Sequence, residues 1–162
     1  DPKLWLALLS EPEGALVEFR QAHWDAGKAA AREQLKVKLN ESYASAKEAG
    51  ELVARKRASV ASLKNLLGQP EALAAEGGEE RARAALHMDQ AMYKGAVTSL
   101  RELKAEIESL QAKLQRSQEV LQADFKVWHA RAHAEAKAAV AGGKAAGGYG
   151  GRRGHPGSYT GG

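Results

Sequence analysis

Leu86, Tyr93, Leu100, Ile107, Leu114, Leu121 and Trp128 recur at every seventh position with no polar interruption. An α-helix returns such positions to one side, so the spacing predicts one long helix with an apolar seam and argues against a compact globular core. With this set as heptad position a, position d reads Asp89, Ala96, Leu103, Leu110, Ser117 and Asp124. The seam is therefore strongest in its middle and polar toward both ends. A chain of this kind holds and docks; it does not carry out chemistry.

A weaker repeat precedes it, with Leu39, Ala46, Val53, Val60 and Leu67 at a and Ser42, Ala49, Lys56 and Leu63 at d. The small Ala46 and Ala49 let another helix approach closely, while Lys56 at d costs stability and helps to fix register. Gly50 costs a helix interior roughly 1 kcal/mol relative to Ala, a sign that this segment relies on a partner. Gly68 and Pro70 stop the first helix, and Glu79 and Glu80 suit the positive end of a second. Gly142 and Gly143 are expected to end that one.

The expected fold is all-α, with long coiled-coil helices at 28–67 and 79–141 joined by a linker at 68–78. A short aromatic-rich helical segment, 1–27, leads in, and a Gly-rich tail, 142–162, reads as disordered. In the leading segment Leu4, Trp5, Leu8 and Leu9 follow Pro2 at helical spacing. Ser10, Pro12 and Gly14 interrupt them, and Leu16, Phe19, His23 and Trp24 come next. Trp5, Phe19 and Trp24 are too many large aromatics for a solvated linker. Two readings stay open for them: a local cap on the helices, or a docking element for a partner.

The formal charge of +4 and pI near 9.3 come from interleaved acidic and basic residues, with part of the excess in the tail. That surplus attracts a polyanion only weakly. Cysteine is absent, which excludes disulfides, thiolate metal sites and cysteine nucleophiles. No apolar run reaches the ~20 residues of a membrane span, and the first residues lack the order of a secretory signal. A soluble intracellular protein with no membrane partner is expected. The first residue, Asp1 and not Met, suggests a piece of a longer polypeptide.

Signals for chemistry fail in detail. Gly142, Gly143 and Lys144 could belong to a phosphate-binding loop, but its first glycine would fall at Ala138 and its hydroxyl residue at Ala145. His129 and His133 have zinc-site spacing, but Ala130 stands where a metalloprotease needs Glu and no third ligand is near; two surface histidines are the simpler reading. Arg55, Lys56, Arg57 and the tail pair Arg152, Arg153 are scattered basic spots and form no stripe, which argues against nucleic acid as a partner. No catalytic, cofactor-binding or metal residue is expected in this chain.

The apolar stripe is wider than a two-stranded seam needs. Met92, Val97, Val120, Phe125 and Val127 occupy the flanking e and g positions, so the second helix is expected to meet more than one neighbour. In a parallel dimer Ser99, Glu106 and Lys113 would face Lys104, Gln111 and Gln118, and none forms an opposite-charge pair. Charge leaves strand orientation open, and both a homodimer and a helical hairpin fit.

Three blocks resemble the C-terminal, non-motor tail of the kinesin-9 family over roughly Leu16 to Trp128. They are GALVEFRQAHWDA at Gly14 to Ala26, LKVKLNESYASAKEAGELVARKRASVASLK at Leu35 to Lys64, and YKGAVTSLRELKAEIESLQAKLQRSQEVLQADFKVWHA at Tyr93 to Ala130. The last is the most specific, because Phe125 and Trp128 are costly at a merely solvated helix end. The resemblance implies a microtubule motor of motile cilia and flagella, of the axonemal central pair, cytoplasm and cytoskeleton. Its motor domain, with ATP and magnesium, would lie outside this sequence, so no catalytic residue is carried over. The tail would supply dimerisation and anchorage, with microtubules and central-pair proteins as partners. The rival readings are a non-motor structural coiled coil of the cytoskeleton or axoneme, and an RNA-binding adaptor using the basic tail.

The interface residues expected from the two repeats are Leu86, Tyr93, Leu100, Leu103, Ile107, Leu110, Leu114, Leu121 and Trp128, with Leu39, Val53, Val60, Leu63 and Leu67 on the first helix. Replacing Leu103 and Leu110 together by Asp is expected to abolish helix pairing, since buried carboxylates without partners are strongly unfavourable. Sedimentation velocity checks this: a double variant that sediments like the parent would place the seam elsewhere.

Overall fold

The computed structural model describes residues 1–152, with side chains over 1–143. The described residues are helical with no strand. Their order is α1 (Pro2–Leu9), α2 (Pro12–Glu18), a π-helical turn (Phe19–His23), α3 (Ala26–Leu67), α4 (Pro70–Ala75) and α5 (Glu79–Arg152).

Local chemistry sets these boundaries. Proline is the first residue of α1, α2 and α4, where its missing N–H goes unneeded and its fixed φ suits a helix start. Asp1 caps α1 by accepting from the Lys3 amide at 3.0 Å, and the Ser10 hydroxyl closes its end by donating to the Leu6 carbonyl at 2.8 Å. Asp25 caps α3, accepting from the Lys28 amide at 2.9 Å. This aspartate, a strong N-cap type, is why α3 begins at Ala26 and not at 28.

Two expectations need correcting. The linker at 68–78 is not wholly irregular, because Pro70 starts the six-residue α4 within it. The chain then turns through Gly77 and Gly78 at φ of 97° and 92°, where a Cβ on Gly77 would lie 2.8 Å from Arg81 Cδ. The glycine doublet Gly142–Gly143 also does not stop α5, which continues to Arg152. Each glycine taxes a helix without forbidding it, and Ala138, Ala139, Ala141, Ala145 and Ala146 around the doublet are the best helix formers. The rest of the tail, with Arg153, His155, Pro156 and Tyr159, lies outside the described residues.

The chain divides into two compact units. The Arg32–Gln115 unit is a helical hairpin made of α3, α4 and α5. Tyr43 of α3 meets Gln111 of α5 (2.7 Å), and Lys56 meets Asp89 (3.0 Å). Partners descend along α5 as they ascend along α3, so the pair is antiparallel. Every a and d residue of α3 from Leu39 to Leu67 is buried or half-buried, as is every one of α5 from Leu86 to Leu114. Leu39, Ser42, Ala96 and Leu110 are the most deeply enclosed.

The other unit joins residues 1–31 to the described residues from Arg116 onward. Leu9, Ala15 and Ala136 form one buried cluster, and Phe19, Trp24 and Leu121 a second, with Phe125 and Trp128 packed against both. The start of α3 meets α5 in this unit, where Lys28 lies 2.8 Å from Asp124.

Cysteines placed at Tyr43 and Gln111 are expected to be bridged within one chain by a short bis-maleimide, at a rate independent of protein concentration. The parent has no cysteine to compete. Bridging that yields only covalent dimers would overturn the in-chain pairing.

Candidate functional site

The lower-numbered end of the chain builds an aromatic cap on α5. A π-helical turn ends with the Trp24 amide donating to the Phe19 carbonyl at 2.8 Å, one residue more than an α-turn encloses. The wider turn brings both Phe19 and Trp24 inward, where they are 3% and 8% exposed. Phe19 lies 5.2 Å from the Trp128 ring and 5.8 Å from Phe125, and Trp5 meets Trp128 edge-on at 6.3 Å. Such geometry adds about 0.5–1.5 kcal/mol per aromatic pair beyond the burial itself.

His129 and His133 belong to this cap, contrary to their expected place on the open surface, and His23 joins them. His129 is half-buried and its Nε2–H donates to the Leu9 carbonyl at 2.6 Å, satisfying an acceptor that the end of α1 would otherwise leave unpaired. Its ring stacks on His133 at 5.7 Å, so the four-residue spacing serves packing. His23 stacks on Trp128 at 4.9 Å and lies 3.5 Å from the Glu18 carboxylate. Among the described residues no group of three or more acids and histidines is placed to hold a metal ion.

Polar residues at seam positions answer one another across the helix pair. Lys56 and Asp89, both at d, form a mostly shielded ion pair, and the Ser59 hydroxyl also donates to Asp89. The Ser59 and Lys56 hydrogen bonds hold the Asp89 carboxyl below its usual range against the opposing effect of partial burial. Asp124, another d residue, accepts from Lys28 Nζ at 2.8 Å and from the Trp24 indole N–H at 3.0 Å. Those two bonds, Lys28 first, likewise lower its carboxyl. Arg57 lies over the Tyr93 ring, its guanidinium 5.9 Å from the centroid.

The interface residues expected from sequence are each buried or half-buried. Leu86, Tyr93, Leu100, Leu103, Ile107, Leu110, Leu114, Leu121 and Trp128 all turn toward packed surface, as do Leu39, Val53, Val60, Leu63 and Leu67. Of the three aromatics open to a docking role, Phe19 and Trp24 are buried in their own chain, and Trp5 is half-buried on Trp128. The flank residues divide: Val97 and Phe125 are half-buried, while Met92, Val120 and Val127 remain exposed. Sequence reasoning missed the Asp124 contacts and the His129 bond to Leu9. Complementary charges at d positions, Lys56 against Asp89, were the available signal for the helix pairing.

No helix among the described residues is long and apolar enough to cross a membrane. Comparison with known families matches residues 10–138 to the kinesin-like protein KIF9 domain. Comparison with curated proteins and with solved structures gives no match.

The carboxylates at Asp89 and Asp124 titrate lower in the folded chain than in the unfolded one, so each stabilises the fold above the unfolded value of about 3.9. The contribution is lost as pH falls from there through the folded value. An Asp89→Asn, Asp124→Asn double variant is expected to melt several degrees below the parent at neutral pH, the gap closing as the solution is acidified below about pH 4. Circular-dichroism melts across that window check it; a gap independent of pH would remove the ionised carboxylates from the account.

Proposed function

This chain belongs to the kinesin-like KIF9 family, and on that premise we propose that it is the tail of a kinesin-9-like microtubule motor, anchoring it in the ciliary or flagellar axoneme and pairing its subunits there. The coarse part of this reading, a non-motor region of a kinesin-like and hence cytoskeletal protein, rests on the family match. The finer part is supported by the helix pairing. α3 and α5 satisfy each other's seams inside one chain, so a partner must be met by outward faces.

Those faces carry the means for docking. Met88, Val127 and Val37 are 65%, 64% and 55% exposed, and Met92, Tyr43 and Val120 are exposed as well. Methionine adapts its shape to irregular apolar partners. An anchor of this kind needs no catalytic group of its own. Motor chemistry, with ATP, magnesium and the main microtubule contact, would reside in a separate domain of such a protein. The family match favours this reading over a structural coiled coil unrelated to motors.

The anchoring role is tested by expressing the chain with a fluorescent tag in ciliated cells. It is expected to enter cilia and to stay with the axoneme after detergent extraction. A tag that washes out with the soluble fraction would overturn the anchoring role.

A further inference from the structure

A groove of about 740 Å³ opens on the Arg32–Gln115 unit, lined by Ala49, Leu52 and Arg55 of α3 and by Met92, Gly95 and Ser99 of α5. Its walls are cut low by small side chains, and Gly95 lies here without an internal reason. A Cβ added at Gly95 meets nothing within 4 Å. Gly95 costs its helix roughly 1 kcal/mol relative to Ala, and nothing inside the chain demands the missing side chain. Access for a backbone from outside is what that absence provides.

We propose that a second copy of this chain docks in the groove, with the two α3 helices crossing antiparallel about a two-fold axis near Leu52. Charge selects this occupant. Glu48 and Arg55 lie seven residues apart and hence on one stripe of α3, both exposed, and among the described residues neither makes an ion pair within the chain. A two-fold axis midway between them sets Glu48 of one copy beside Arg55 of the other, twice. The same patch is then used on both sides, as a closed dimer requires. Leu52 and Ala49 occupy the centre, and Met92, 43% exposed, supplies apolar cover from α5.

The contact deepens the subunit-pairing half of the tail reading, on which it rests, and leaves the in-chain seams as they are. Two helical hairpins laid together make a four-helix arrangement, the common way for such units to bury a second face.

Sedimentation equilibrium of the whole chain over a hundredfold concentration range tests it. A reversible dimer is expected. Gly95→Leu should retain the helical signal, melt no lower than the parent, and weaken the dimer at least tenfold by filling the groove. Glu48→Arg and Arg55→Glu should each weaken it, and the two together should restore it. A monomer at every concentration overturns the proposal, leaving the groove to another protein, as does a dimer indifferent to G95L and to the charge reversals. Axonemal retention of the tagged chain is read separately, so anchorage can stand or fall without the dimer.

Discussion

Neither long helix can stand alone in water, and the antiparallel pairing of α3 with α5 is the constraint from which the other features follow. α3 carries only small or polar groups at several seam positions, Ser42, Ala46, Ala49 and Lys56 among them, so its intrinsic apolar stripe is thin. α5 supplies the larger residues that cover it. Where a polar residue would be stranded in the seam, the opposite helix answers: Asp89 takes Lys56 and Ser59, and Asp124 takes Lys28 and Trp24. A helix shifted along its partner by one heptad would lose these matches while keeping most apolar contacts. The polar pairs thus choose the register, while the leucines supply most of the binding energy.

The aromatic cap solves a second problem created by that pairing. A helix as long as α5 continues past the point where α3 begins, and its apolar face there would meet water. α1, α2 and the π-turn fold over it, and the buried set of Leu9, Ala15, Phe19, Trp24, Leu121 and Ala136 results. Three of the five histidines contribute rings or hydrogen bonds to this packing, so their role is architectural. The cap also explains why two tryptophans and a phenylalanine are tolerated so close together: their surface is spent inside the chain.

Much of this was legible in the residues. The seven-residue repeats marked the long helices, and the run ending in Asp124, Phe125, Lys126, Val127 and Trp128 carried the family. What escaped detection depended on the third dimension. Orientation was undetermined because the e and g charges do not pair, and it emerged from d residues on two segments far apart in sequence. The Asp25 cap went unread, so the start of α3 was placed two residues late. His129 and His133 were placed on the surface because nothing in their spacing reveals that α1 lies over them, offering the Leu9 carbonyl. The glycine doublet was taken as a stop because a local penalty was read as a prohibition, although alanines on both sides favour continuation.

The π-turn at Phe19–His23 makes the cap count residues. With one residue more, each position beyond the turn would rotate by about 100° about the helix axis. The indole of Trp24 would swing away from Asp124, and Lys28 would follow it off that carboxylate. Length, more than chemical identity, is therefore the sensitive variable in this short stretch. A protein of this design tolerates exchange of many side chains along its helices, yet an insertion of a single codon here would uncouple its leading segment from the shaft it covers.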